Sequence, residues 1–209
     1  MKKKIVTLLL IAVSTGAWSQ SSVLKINTND SKIHWLAKKV TGQHDGFINL
    51  IDGSLELEDE QITGGTFTVD MTSINVADLT GEYKEKLEGH LKSDDFFSVE
   101  QFPKSTLIIT KANQKMPNHY EITADMTIKG ITHPVTFELH VEGDSANTKF
   151  MIDRSKYNVR YGSNSFFDNF GFLPCGAVVN FFAKKSILAS SRIIFFKISL
   201  NFITLFFFI

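Results

Sequence analysis

The chain has 209 residues, with 22 lysines and arginines against 22 aspartates and glutamates. This balance, without a basic stripe, predicts that the protein does not bind nucleic acid. The single cysteine, Cys175, excludes an intrachain disulfide, and the length is typical of roughly one globular domain.

The first 19 residues have the three parts of a secretory signal peptide. Three lysines are followed by an apolar run from Ile5 to Val13 and by the small-x-small triplet Ala17-Trp18-Ser19. The run falls short of the ~20 residues that span a bilayer, which disfavours a membrane anchor. We expect cleavage near Ser19 and a mature protein that is periplasmic or secreted.

Short strands dominate the next segment, residues 20–170. Apolar and polar side chains alternate around Trp35 and again at Phe67 and Val69, the period of a strand with one buried face. Two glycine-containing dipeptides, Asp52-Gly53 and Gly64-Gly65, are predicted to reverse the chain. About seven antiparallel strands result, and the pattern fits either a sandwich or a closed barrel.

The clearest pair of strands lies in Tyr120 to Val141. A two-residue turn at Gly130-Ile131 would place all the apolar side chains on one face. This turn predicts three facing pairs: Met126 with Val135, Ala124 with Phe137, and Ile122 with Leu139.

One helix interrupts the strands between Asp78 and Phe97. Apolar residues recur there every four positions, which is typical of a helix with one apolar stripe. The stripe consists of Leu79, Tyr83, Leu87 and Leu91. Ser93 is predicted to begin a further turn that presents Phe96 and Phe97.

Five segments, in order, resemble the blocks of the YceI family of exported bacterial polyisoprenoid-binding proteins. They are VTGQHDG at 40–46, VDMTSI at 69–74, HLKSDDFF at 90–97, TIKGITHPV at 127–135 and IDRSKY at 152–157. The resemblance extends over about residues 27–169. It implies an all-β, lipocalin-like antiparallel β-barrel with one helix and loop near the mouth, and a lumen that holds an isoprenoid or similar long-chain lipid.

Periodicity alone fits a filled core as well as a lumen, so a structural or interaction barrel without lipid is the alternative. If the lumen exists, the inward positions would contact the lipid. They are Trp35, Phe67, Val69, Ile122, Ala124, Met126, Val135, Phe137 and Leu139.

A pyrophosphate or quinone head group would need hydrogen-bond donors at the mouth. The candidates are His44, His90, Arg154, Arg160 and Tyr161. The two arginines fit ordinary ion pairs equally well.

We predict no catalytic residue, no metal site and no cofactor, other than an isoprenoid lipid or quinone held as ligand. The resemblance implies no catalytic residues. His133 and His140 are seven positions apart on one strand, so they would point to opposite faces and would not share a metal. The protein is therefore predicted to be a binding protein and not an enzyme.

Residues 171–209 differ from the rest of the chain, with no acidic residue after Asp168 and a strongly apolar end. A frameshift near residue 170 and a C-terminal membrane anchor are the two explanations. Val178 to Phe182 would also suit a substitute closing strand, without which the barrel would have open edges. Membrane contact is expected during lipid exchange or through this tail, and the oligomeric state, including a dimer, stays open.

Overall fold

The structure, a computed structural model, describes residues 19–39, 42–159 and 176–185, the last of these as backbone only. The predicted signal peptide as far as residue 18 lies outside the described residues. So do Arg160, Tyr161, Cys175 and the tail beyond residue 185.

Eight antiparallel strands form a closed barrel in sequence order. The elements are β1 Ser21–Lys39, β2 Gly42–Glu58, β3 Gln61–Val76, α1 Gly81–Lys92, β4 Lys104–Met116, β5 His119–Ile128, β6 Ile131–Glu142, β7 Ser145–Asp153, a short 3₁₀ helix Arg154–Tyr157 and β8 Gly176–Lys185. The predicted all-β barrel with one helix is confirmed. α1, the β5–β6 turn and the 3₁₀ helix all lie at the same end, which we call the helix end.

Strand β8 closes the barrel. Its backbone pairs with β1 on one side and with β7 on the other, so that Val179 lies between Trp35 and Phe150. The segment Val178–Phe182, considered in the sequence as a substitute strand, is part of β8. The frameshift and the membrane anchor stay predictions. Within the described ranges, no helix has the length and apolar character needed to cross a membrane.

The β5–β6 hairpin has the predicted faces but not the predicted register. Its turn is Lys129-Gly130, and both residues have positive φ, 53° and 74°, as a type I′ turn requires. Ala124 therefore faces Val135, and Ile122 faces Phe137. The predicted pairing is wrong by two residues, a shift that leaves every side chain on its expected face.

The predicted reversals at Asp52-Gly53 and Gly64-Gly65 are wrong. β2 continues through the first with a bulge, and β3 contains the second. A Cβ on Gly65 would lie 2.7 Å from the Ser54 carbonyl oxygen, so glycine permits close approach of two strands there. The turn between β2 and β3 is instead made by Asp59 and Glu60, which have positive φ.

Helix α1 covers the barrel at the helix end. Leu91 is buried, and Leu79 and Leu87 pack against the core. Tyr83, the fourth member of the predicted stripe, is 76% exposed. Its assignment to the buried face is wrong because only the C-terminal half of the helix packs closely on the barrel.

Candidate functional site

An apolar cavity of about 190 Å³ lies inside the barrel. Its described walls come from β1 to β7, from Leu91 of α1 and from the segment that follows the helix. The lining includes Ile33, Trp35, Leu50, Phe67, Val69, Phe96, Phe97, Met126, Phe137, Leu139, Phe150 and Ile152. Almost all of these side chains are hydrocarbon or aromatic, so the space suits a water-excluded, apolar guest.

Six of the nine predicted lumen residues line this cavity. They are Trp35, Phe67, Val69, Met126, Phe137 and Leu139. Ile122 and Ala124 are fully buried in the core, and Val135 packs against it. The interior is therefore packed around Ile122 and Ala124, and the cavity lies beside this packed region.

Two neighbouring phenylalanines, Phe96 and Phe97, form part of the wall from outside the sheet. Their rings meet edge to face with centroids 4.8 Å apart. The sequence predicts that a turn presents both rings, but it does not place them at the ligand. The sequence feature that could have indicated this role is the pair of consecutive phenylalanines directly after the helix.

The segment 93–98 that carries these rings is held by hydrogen bonds from two directions. Ser98 N–H donates to the Ser93 carbonyl at 2.8 Å. Lys129 Nζ reaches from the β5–β6 turn and donates to the carbonyls of Asp94 at 3.1 Å and Phe96 at 3.0 Å. The hairpin turn thus fixes the segment that closes one side of the cavity.

Lys129→Met is expected to loosen segment 93–98 at a cost of about 1 kcal/mol, because two backbone carbonyls lose their ammonium donor. Amide hydrogen exchange should become several-fold faster in this segment. Lys149→Met, which removes an exposed lysine from β7, is the matched control. Unchanged exchange in the Lys129 variant, or equal acceleration in both, would contradict this role.

Arg154 is the charged side chain among the described residues that line the cavity. Its guanidinium lies 5.2 Å from the centre of the Phe96 ring, and its Nη1 donates to the Val159 carbonyl at 2.9 Å. The ring contact and this hydrogen bond fix the orientation of the guanidinium. Of the three predicted head-group residues that the structure describes, Arg154 is the one that lines the cavity.

His44 and His90 do not line the cavity. His44 Nδ1 lies 2.8 Å from Asp78 Oδ2, and the His90 ring packs edge-on against Phe96, with centroids 5.5 Å apart. The positions of these two histidines do not support the predicted contact with a lipid head group, because each of them contacts protein groups around the helix end. Arg160 and Tyr161 lie outside the described residues.

The pKa of Asp78 reflects a small polar network beside α1. Burial would raise it, but hydrogen bonds from His44 and from the backbone N–H of Asp45 outweigh burial, so the pKa lies below the usual value of an aspartate. A carboxylate whose pKa is lowered by folding stabilises the fold at pH values above the ordinary aspartate pKa of about 3.9. That stabilisation is lost as the pH falls through the lower, folded-state value.

Asp78→Asn is expected to lower the free energy of unfolding by about 0.5 to 1 kcal/mol at pH 6. The difference from the unmodified chain should begin to shrink below about pH 4, where the unfolded-state carboxylate takes up a proton, and should disappear as the pH falls through the lower pKa of the folded state. Urea unfolding at several pH values measures this. Asp144→Asn, in the β6–β7 turn, is the control. A difference that stays constant down to acid pH would contradict the role of the Asp78 charge.

A second cluster of Ile128, Ile152, Tyr157 and Val159 packs beneath the 3₁₀ helix. Burial, with a smaller effect from the Asp153 carboxylate, raises the pKa of Tyr157, so its hydroxyl stays neutral. This cluster supports the backbone from which Arg154 extends.

Among the described residues, no group of three or more histidine, cysteine, aspartate or glutamate side chains is arranged to hold a metal. His133 Nε2 lies 3.0 Å from the Lys156 carbonyl, while His140 packs on the ring of His119. The two histidines therefore have different surroundings. The prediction of no metal stays a prediction for the whole chain.

Comparisons with known proteins agree with this architecture. A model of the YceI-like domain matches residues 24–178. A UPF0312 protein of Staphylococcus aureus (strain USA300) is 29% identical over 139 residues, which are 61% of this chain and 74% of the relative.

Two solved structures have the same fold. BcnA of Burkholderia cenocepacia superimposes with a TM-score of 0.61 at 18% identity, covering 76% of this chain and 98% of BcnA. A polyisoprenoid binding domain from Saccharophagus degradans, implicated in plant cell wall breakdown, gives a TM-score of 0.54 at 11% identity, covering 78% and 98%. At these identities the likeness shows the fold alone.

Proposed function

The chain belongs to the YceI-like family, and from this premise we propose that it binds the apolar chain of a polyisoprenoid or similar long-chain lipid inside the barrel. The apolar cavity is the observation that carries the proposal. The alternative, a barrel that serves only as a structural or interaction module, requires a filled interior. A cavity walled by hydrocarbon and aromatic groups argues against that alternative.

The cavity volume limits how much of the ligand can enter the barrel. An apolar protein cavity of about 150 Å³ can hold a benzene molecule, so 190 Å³ accepts a slightly larger group. One segment of a slender chain fits, and the rest of a long lipid would extend through the mouth. Each buried methylene contributes about 0.8 kcal/mol, so a few such groups give useful affinity before ordering costs.

Arg154 suggests how the lipid is oriented. A cation at the cavity wall is favourable beside a phosphate, a carboxylate or a carbonyl-rich ring. We therefore propose that the polar end of the lipid lies towards Arg154, and that the apolar chain lies against Trp35, Phe67 and Phe137. Isoprenoid quinones and prenyl phosphates both have this distribution of polar and apolar groups.

The proposed place of action is the periplasm or the cell exterior. The support is the N-terminal sequence pattern of a lysine cluster, an apolar run and a small-residue cleavage motif. Lipids of this class reside in bilayers, so exchange at a membrane surface is part of the proposal. Binding without catalysis is proposed.

Titration calorimetry of the delipidated full-length chain with a short-chain isoprenoid quinone tests this function. We expect one site per chain, micromolar or tighter affinity and a negative heat-capacity change, because apolar surface leaves water on binding. Absence of binding heat at all temperatures, together with no change in thermal unfolding, would overturn the proposal.

A further inference from the structure

The ladder that joins β1 to β2 is interrupted beside the cavity. Lys25 faces Ser54 on one side of the interruption, and Ile33 faces Ile48 on the other side. Residues 26–32 of β1 and 49–53 of β2 lie between these two pairs and are not paired with each other. We call this stretch the β1–β2 gap. Strands without ladder pairs separate more easily than strands joined by backbone hydrogen bonds.

Polar groups on both sides of the gap bond within their own side of it. In β1, Asn29 N–H donates to Asn27 Oδ1 at 3.1 Å, and Ser31 Oγ donates to the Asn27 carbonyl at 2.6 Å. In β2, Asn49 N–H donates to Ser73 Oγ of β3 at 2.8 Å. These hydrogen bonds do not cross the gap, so they survive when the two strands move apart.

An ion pair spans one end of the gap. Lys25 Nζ lies 3.2 Å from Asp52 Oδ1, and both side chains are more than half exposed, 61% and 63%. Exposed ion pairs of this kind contribute little to stability. The contact therefore holds β1 and β2 together only weakly.

The barrel wall at the gap is one residue thick. A groove of about 690 Å³ lies outside it, and Ile33, Ile48 and Leu50 line both this groove and the apolar cavity. These three residues are at most 9% exposed, so they close the wall in this structure. Phe47 and Ile51, 41% and 43% exposed, add apolar surface to the groove on the outside.

We propose that the apolar chain of the lipid enters and leaves the barrel sideways through the β1–β2 gap, with the outer groove as its first contact. Movement of β1 away from β2 opens the wall, while Asn49 and Leu50 keep their ladder partners in β3. A long chain can then pass in along its length, without being threaded end first. The inference rests on the proposed lipid-binding function and adds the route of entry.

Binding kinetics separate a residue of the gap from a residue of the remaining wall. Trp35 lines the cavity, so quenching of tryptophan fluorescence in stopped flow reports the entry of a short-chain isoprenoid quinone. Leu50→Ala should raise the association rate constant of the full-length chain about three- to tenfold. Leu139→Ala makes the same change in the cavity wall away from the groove. It should raise the dissociation rate constant alone, because lost contacts act mainly on dissociation.

Asp52→Asn tests the gap without altering a buried side chain. It removes the ion pair with Lys25 and should raise the association rate constant about twofold. Glu82→Gln is the matched control, because it removes an exposed ion pair with Lys86 on α1. This control should leave the association rate constant unchanged.

Two results would overturn the proposed route. One is an association rate constant that is unchanged in both Leu50→Ala and Asp52→Asn, or that rises equally in Leu139→Ala. The other is a larger rise in Lys129→Met than in Leu50→Ala, which would place entry at the helix end. Absence of quinone binding by the unmodified chain would instead overturn the proposed function.

Discussion

Gly46→Ala is expected to destabilise the barrel by about 3 kcal/mol or more, a large effect for one methyl group. The added Cβ would lie 1.8 Å from the Asn75 carbonyl oxygen. That oxygen belongs to the backbone of β3 and cannot rotate away, and on the other side Trp35 Cζ2 would be only 2.7 Å distant. Relief requires separating β2 from β3 or moving the indole. Urea unfolding followed by circular dichroism measures the loss.

Gly89→Ala is the matched control because it makes the same chemical change in helix α1. A Cβ on Gly89 would meet no atom within 4 Å, and alanine is the better helix former. The control should be more stable than the unmodified chain by about 0.4 to 1 kcal/mol. If Gly46→Ala unfolds at the same urea concentration as the unmodified chain, the close approach of β2 to β3 described here is wrong.

Val69→Trp is expected to weaken lipid binding strongly while the barrel stays folded. Val69 is partly buried on β3 and lines the cavity, so an indole at this position would occupy the space proposed for the lipid chain. Overpacking should cost about 1 to 3 kcal/mol, less than in a filled core because the cavity receives the ring. Lipid affinity, measured by calorimetry with the quinone, should fall at least roughly tenfold, the effect of ~1.4 kcal/mol.

Thr66→Trp adds an indole to the same strand at an exposed position. Strand alternation directs this side chain away from the cavity, so quinone affinity should stay within a factor of about two, less than 0.5 kcal/mol. Equal loss of binding in both variants would indicate a site on the outer surface. Full affinity in Val69→Trp would exclude the cavity as the binding site.

The β5–β6 hairpin shows how far sequence patterns determine a barrel. Alternation correctly assigned the inner face, because a shift by two residues preserves it. The register was wrong because Gly130 was placed first in a type II′ turn, while the chain uses Lys129 and Gly130 with positive φ at both. The hydrogen bonds from Lys129 to the carbonyls of Asp94 and Phe96 are tertiary contacts that a local turn rule does not contain.

The glycines illustrate a different limit of sequence reasoning. Gly65 resembles a turn residue in the sequence, but in the barrel it permits a close strand approach. The actual turn residues, Asp59 and Glu60, carry the positive φ values that the glycines were expected to provide. Acidic residues in this conformation give a weaker sequence signal than a pair of glycines.

The candidate site could be predicted only in part, because the alternation of apolar and polar residues shows which side chains point inward but not whether the space between them is filled. Phe137 and Ile122 share the inner face, yet Phe137 lines the cavity and Ile122 is completely buried. The difference depends on which neighbouring side chains fill the space. Phe96 enters the wall from a segment outside the sheet, where strand periodicity has no predictive value. Arg154, one of the predicted head-group residues, lines the cavity, and its role towards a lipid stays a proposal.

Native mass spectrometry of the purified full-length chain, followed by organic extraction, identifies what the barrel holds. We predict one noncovalently bound isoprenoid lipid per chain, lost in Val69→Trp and retained in Thr66→Trp. Protein that is empty on purification, and that takes up neither isoprenoid quinones nor polyprenols when these are supplied, would show that the barrel does not bind such lipids.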